Sequence, residues 1–148
     1  MQIDQADAGR RLAKPELRIR PGKCSKKGKS MRKILVVDDD RALRGLFSAV
    51  LRRAGYTVTQ AEDGQQAQAQ VLRDPPDIML VDYLMPVLDG LELLTWIKQG
   101  PHADISVIVL SAVESQHYIQ QFLTAGAHSV LQKPIALDDL LAVVASLG

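Results

Sequence analysis

The sequence predicts a doubly wound α/β sandwich, a parallel sheet with helices on both faces. Three observations carry that prediction. Continuously apolar runs of strand length recur along the chain, segments of helical periodicity separate them, and the order β-α repeats five times. Strands covered on both faces of a parallel sheet read in this unbroken way, whereas half-exposed strands alternate. Composition agrees, since 47% of the 148 residues are hydrophobic and 24% are charged, as in an ordinary globular domain.

The elements follow in order. Ile34-Leu35-Val36-Val37 is the first strand, and Leu43, Leu46, Phe47, Val50 and Leu51 form one face of a first helix stopped at Gly55. Residues 56–61 alternate more and predict an edge strand. An Ala- and Gln-rich helix runs over about residues 65–73 and stops at Pro75-Pro76. Ile78-Met79-Leu80-Val81 is the third strand, followed by a helix marked by Leu91, Leu94 and Ile97 and ended by Gly100-Pro101. Val107-Ile108-Val109-Leu110 is the fourth strand, and Tyr118, Ile119, Phe122 and Leu123 mark the fourth helix, which ends near Gly126. Ser129–Gln132 is a short fifth strand. Leu137, Leu140, Leu141, Val144 and Leu147 mark the last helix. There is no internal repeat, and no second domain is expected.

Charge divides the chain. Residues 1–33 hold eleven Lys or Arg and three Asp or Glu, a charge of +8, which leaves −7 for the remainder of a chain whose formal net charge is +1. Residues 1–30 have few large apolar side chains and include the run Lys23-Cys24-Ser25-Lys26-Lys27-Gly28-Lys29. Such a segment buries too little to offset chain entropy and is expected to be disordered. It reads as a basic arm for nucleic acid or an acidic partner, or as an extension without a role, a tag remnant or an over-long start. Met31 stands immediately before the first strand, so the globular domain is taken as 31–148.

Several classes fall away. No run approaches the ~18 apolar residues of a spanning helix, and no secretory signal opens the chain. A lone cysteine, Cys24, supports neither a disulfide framework nor a Cys-based zinc site. His102, His117 and His128 lack zinc-ligand spacing and are taken as surface residues. The expected setting is cytoplasmic.

Polar residues interrupt the core pattern once per strand. Asp38, Asp39 and Asp40 follow the first strand, Asp82 the third, Ser111 the fourth and Lys133 the fifth. All lie at carboxyl ends, where open α/β sheets bind ligands at the topological switch point. With strand order 2-1-3-4-5, Asp38, Asp39 and Asp82 share one pocket. Three carboxylates there repel, so positive charge is required. Lys133 supplies one, and a hard divalent cation, with Mg²⁺ the best fit to sparse carboxylate ligation, supplies two more. A carboxylate beside Mg²⁺, a lysine and a hydroxyl is the equipment for accepting a phosphoryl group on Asp. Taken singly, each residue has an ordinary reading: strand-end Asp as a turn or cap, Ser111 as the cap of the fourth helix, Lys133 as a solvated lysine.

From residue 31 to 148 the sequence resembles the receiver domains of two-component response regulators, which have a flavodoxin-like fold. The resemblance rests on Ile34-Leu35-Val36-Val37-Asp38-Asp39-Asp40, Asp82-Tyr83-Leu84-Met85-Pro86 with Asp89-Gly90, Ser111-Ala112 and Lys133-Pro134. Ala61-Glu62-Asp63-Gly64 adds to it. It implies that Asp82 is the phosphoacceptor, Asp39 a direct Mg²⁺ ligand, Asp38 an acid acting largely through water on the metal, and the Leu84 backbone carbonyl the remaining protein ligand. Ser111 would be the switch hydroxyl and Lys133 the phosphate-contacting cation, with a cis Lys133-Pro134 bond. The resemblance further implies a phosphohistidine donor on a sensor kinase or phosphotransfer protein. The domain would be a phosphoacceptor rather than a turnover enzyme. Output is expected as contact with a downstream protein through the fourth helix, fifth strand and fifth helix. No direct DNA binding by the domain, no membrane association, and a monomer or weak dimer complete the expectation.

Three positions depart from the family pattern. Val130 stands where a Tyr or Phe usually swings inward, so the usual aromatic relay cannot operate, and the response is expected to be muted or carried by the fourth-helix backbone. Leu84 and Val113 are apolar where polar side chains help position attacking water, which predicts slow hydrolysis of phospho-Asp82. Two other readings compete. A haloacid-dehalogenase-type phosphatase would use Asp38/Asp40, Ser111, Lys133 and Asp138-Asp139, but that last pair opens a helix, where acids favour the dipole. A receiver-like adaptor that no longer switches is the other, kept alive by Val130.

Overall fold

The computed structural model describes residues 32–85, 88–112 and 115–147. The elements are β1 (Lys33–Val37), α1 (Arg41–Arg53), β2 (Thr57–Ala61), α2 (Gly64–Arg73), β3 (Ile78–Asp82), α3 (Gly90–Gln99), β4 (Ser106–Ser111), α4 (Gln116–Thr124), β5 (Ser129–Gln132) and α5 (Leu137–Ser146). The five strands are all parallel in order β2-β1-β3-β4-β5, as the sequence predicts for a flavodoxin-like sheet. Residues 1–30, with the basic run and Cys24, lie outside the described residues, as do Pro86, Val87, Val113 and Glu114.

The unbroken apolar runs are explained by the two faces of the sheet. Leu35, Val37, Met79, Val81, Val107 and Val109 point to one face, where Ala67, Val71, Leu93, Leu94, Ile97 and Phe122 from α2, α3 and α4 cover them. Ile34, Val36, Ile78, Leu80, Ile108 and Leu110 point to the other, against Phe47, Leu51, Leu140 and Val144 from α1 and α5. Alternation along a strand sends successive side chains to opposite faces, so both sets must be apolar. Each fully buried side chain of this size stabilises the fold by roughly 1.5–3 kcal/mol.

Two helical faces differ from the expectation. In α1 the buried residues are Arg44, Phe47, Ser48 and Leu51, whereas Leu46 is 46% exposed. The helix is turned so that a buried arginine takes the place expected for a leucine. In α4 only Phe122 is buried, and Tyr118 and Leu123 are each 40% exposed. Among the described residues no helix is long and apolar enough to cross a membrane.

Side-chain caps fix the starts of α1 to α4, whereas α5 begins after Ala136 with no side-chain cap. Asp40 Oδ1 accepts from the Ala42 and Leu43 amides, and Asp63 accepts from Gln66. Asp89 and Glu92 form a reciprocal capping box at α3. Each cap contributes about 1 kcal/mol. Ser115, not Ser111, caps α4. Asp138 and Asp139 lie in the first turn of α5 and end no strand, so the dehalogenase-type arrangement is not formed.

Candidate functional site

Register brings the polar interruptions to one edge. Val37 pairs with Val81, and Ser111 with Gln132, so Asp38, Asp82, Ser111 and Lys133 emerge together at the carboxyl ends of β1, β3, β4 and β5. Asp82 and Ser111 are the last residues of their strands. Asp38, Asp39, Asp82, Leu84, Ala112 and Lys133 border a cavity of about 220 Å³, and Ser111 is buried next to Ala112. The three consecutive aspartates divide their labour. Asp40 is the cap of α1, and only Asp38 and Asp39 turn towards Asp82.

Carboxylate oxygens of Asp38, Asp39 and Asp82 lie within 4.8 Å of one another. Asp38 is fully buried, Asp82 is 6% exposed and Asp39 is exposed. Lys133 Nζ donates to Asp82 Oδ1 at 2.9 Å and stands 3.9 Å from Asp38 Oδ2. Asp38 Oδ1 accepts from the Asp40 amide at 2.9 Å, but the buried Oδ2 has no hydrogen-bond partner. The Lys133-Pro134 peptide is cis, as expected, and the Lys133 amide donates to the Ser111 carbonyl at 2.8 Å.

Charge in this pocket is unbalanced. Burial pushes Asp38 up to about 6, and the Asp82 and Asp39 charges push the same way against the Asp40 amide and Lys133. Burial also raises Asp82, with Lys133 opposing. Burial pulls Lys133 down, but its bond to Asp82 and the surrounding carboxylates outweigh this and raise it. One lysine does not neutralise three acids. A hard divalent cation fits the donor set: three converging oxygens, an excess of negative charge, and a buried carboxylate oxygen without a hydrogen-bond partner.

Two neighbours were not anticipated. Arg44 Nη1 donates to the Asp38 carbonyl at 2.8 Å and Nε to Gln60 Oε1 at 3.1 Å, tying the first acidic turn to β2. The only sequence signal for it is its position three residues before Phe47, on the face that turns inward. Gly90 is the second. A Cβ there would lie 2.8 Å from the Asp82 carbonyl oxygen and 2.9 Å from Tyr83 Cα, so only glycine lets α3 start this close to the end of β3.

The fold and pocket together define a type of signalling domain, and comparison with known proteins agrees. The chain matches the response regulator receiver domain over residues 34–145 and belongs to that family. Receiver domains bind Mg²⁺ at an acidic pocket and act as signalling domains between sensor kinases or phosphotransfer proteins and downstream targets. Among its relatives, response regulator MprA of Mycobacterium leprae is 42% identical over 115 residues, which is 78% of this chain and 50% of that protein. MprA of Mycobacterium tuberculosis is 43% identical over 110 residues, 74% of this chain and 47% of that one. The chain thus spans about half the length of the curated relatives it matches. Of solved structures, the Francisella response regulator 1452 receiver domain aligns with a TM-score of 0.75 at 31% identity, over 78% of this chain and 95% of its own. The chemotaxis protein CheY4 of Vibrio cholerae aligns at 0.75 and 30% identity, over 80% of this chain and 100% of its own.

Proposed function

We propose that this receiver accepts a phosphoryl group on Asp82 from a phosphohistidine of a sensor kinase or phosphotransfer protein, in a Mg²⁺-dependent reaction. The observation that carries the reading is the placement of Asp82. It is nearly buried, bonded to Lys133 and crowded by Asp38 and Asp39 at the carboxyl edge of the sheet. A carboxylate oxygen of Asp82 attacks phosphorus, the new P–O bond forms as the P–N bond breaks, and the electron pair leaves on the donor imidazole. Lys133 neutralises charge on the transferring oxygens, and the Ser111 hydroxyl donates to one of them. Asp38, Asp39, Asp82 and the backbone carbonyl of Leu84 are the groups that would hold Mg²⁺. Bound there, the ion supplies further positive charge against the phosphoryl oxygens.

Arg44 and Gly90 hold the two carboxylate-bearing turns in place, so the chain's own part is positioning and charge. The domain carries no turnover beyond transfer to itself and slow loss. The reading sets the protein in the cytoplasm, as a monomer or weak dimer, with no DNA contact by the receiver itself. Output runs through α4, β5 and α5 to a downstream protein. α4 supports this, because residues 116–124 carry no charged side chain and leave Tyr118 and Leu123 exposed.

Val130, half-buried on β5, supports a second reading in which the domain docks without switching. Incubation with acetyl phosphate and Mg²⁺ tests the first. Wild-type protein is expected to gain about 80 Da, and Asp82→Asn to gain nothing. An equal adduct on Asp82→Asn would refute the assignment. A beryllofluoride-loaded against free NMR comparison separates switching from docking alone.

A further inference from the structure

We propose that the signal from Asp82 reaches α4 through the ring of Tyr83 packed on Phe122, in place of an aromatic rotamer on β5. The proposal rests on Asp82 being the phosphoacceptor. Tyr83 follows Asp82 in the chain and borders the same cavity. Its backbone is pinned on both sides: its amide donates to the Leu110 carbonyl at 2.9 Å, and its carbonyl accepts from Gly90 at 2.8 Å. From that fixed point the ring reaches α4. The Tyr83 and Phe122 centroids are 4.9 Å apart at 74°, an edge-to-face contact, and Tyr118 lies 6.3 Å away at 43°.

What makes this contact decisive is how little else anchors α4. Phe122, at 1% exposure, is the one buried residue of the helix, and the rest are exposed or half-buried. With no charged side chain over residues 116–124, its side chains form no ion pairs. Its N-terminus rests on a single side-chain cap, Ser115 to the His117 amide at 3.2 Å. Elements held by few buried contacts occupy the low-stability end of a fold and are the ones that move. α4's hold on the body therefore passes through a ring whose partner is the neighbour of the phosphoacceptor. A charged, bulky group arriving at Asp82 shifts the space that Tyr83 borders. The ring must then either carry Phe122 with it or release it. Val130 leaves no competing aromatic path on β5.

The test compares full-length wild type, Tyr83→Phe and Tyr83→Leu, with beryllofluoride as the phosphoryl stand-in. Each is saturated with Mg²⁺ and beryllofluoride, and saturation is verified by the fluorine resonance of the bound group. Amide shifts and exchange over residues 116–124 are then read. Wild type and Tyr83→Phe are expected to show the same loading-dependent change. In loaded Tyr83→Leu that change falls at least about fivefold, the low end of coupling between linked sites. A loaded Tyr83→Leu protein with the full wild-type response in α4 overturns the relay. Wild type that fails to load at all overturns the phosphoacceptor reading instead, and the relay with it. If Tyr83→Leu does not fold, wild type alone decides. Ring resonances of Tyr83 and Phe122 must titrate together with the α4 amides, and rings that stay fixed while those amides move overturn the proposal.

Discussion

The two ends of β3 each bury an aspartate, and the chain treats them in opposite ways. Asp77, just before the strand and 2% exposed, accepts the Lys33 amide at 2.8 Å and has Arg32 Nε at 3.8 Å, while Lys33 pairs with neighbouring Asp74. Asp82, at the far end, faces two further carboxylates and a single lysine. Donors surround the first; acids crowd the second. A buried charge supplied with donors is a structural element, whereas one left short of positive charge is stable only with something added from outside. The same residue type thus serves as a latch at one edge of the sheet and stands in a crowded acidic pocket at the other, where the proposed function makes it the reactive group.

Removing each kind of aspartate should move stability in opposite directions. Asp77→Ala leaves the Lys33 amide without its acceptor and Arg32 without its facing carboxylate, and is expected to cost about 3 kcal/mol in urea denaturation, with Asp82 still phosphorylated. A loss below the error of the measurement would mean that Asp77 is no latch. Asp38→Asn should instead stabilise the metal-free protein by about 2 kcal/mol at neutral pH. The sign follows from burial. Asp38 titrates near 6 when folded against 3.8 as an ordinary carboxyl, so the native state holds a proton that the unfolded chain releases between those values. Stability contributed by this group therefore falls as pH rises through that window and stays lost above it. In EDTA, the gain of Asp38→Asn over wild type should be near zero below the window and level off above it. A difference independent of pH would defeat the explanation. Adding Mg²⁺ should reverse the order at about a hundred times Kd, where binding to the native state stabilises wild type by about 2.7 kcal/mol.

The comparison also shows what a linear sequence reveals. Strand runs and their polar interruptions are local patterns, so five strands and the residues Asp38, Asp39, Asp82, Ser111 and Lys133 at their carboxyl ends were legible, whereas the strand order was supplied by the resemblance. Assembly decides the rest. The outward turn of Leu46 and inward turn of Arg44 depend on two acceptors, the Asp38 carbonyl and Gln60, that meet only when β1 and β2 pair. The run Asp38-Asp39-Asp40 does not announce that its third member caps α1. Nor does Asp89-Gly90 announce that the glycine lies against the Asp82 carbonyl. Tyr83 reads as one more aromatic after a strand until Phe122 is brought beneath its edge.

The smallest expected effect concerns what lies beyond the two aspartates. Past Asp82 the chain presents Leu84, 64% exposed at the cavity mouth, where a polar side chain would hold water for attack on a phosphoryl group. An isobutyl group offers water no hydrogen bond and occupies its approach. The phosphoryl group on Asp82 should therefore persist once the donor is removed. A wild-type half-life of seconds would contradict this. Leu84→Asn supplies an amide with both donor and acceptor capacity at the same place. It is expected to speed loss about fivefold, equivalent to about 1 kcal/mol in the barrier, and to leave stability almost unchanged because the position is exposed. Decay followed by intact mass after rapid removal of acetyl phosphate measures both proteins. Equal rates would shift the cause of persistence from the cavity mouth to the carboxylate pocket, where Lys133 and Ser111 would hold the phosphoryl oxygens.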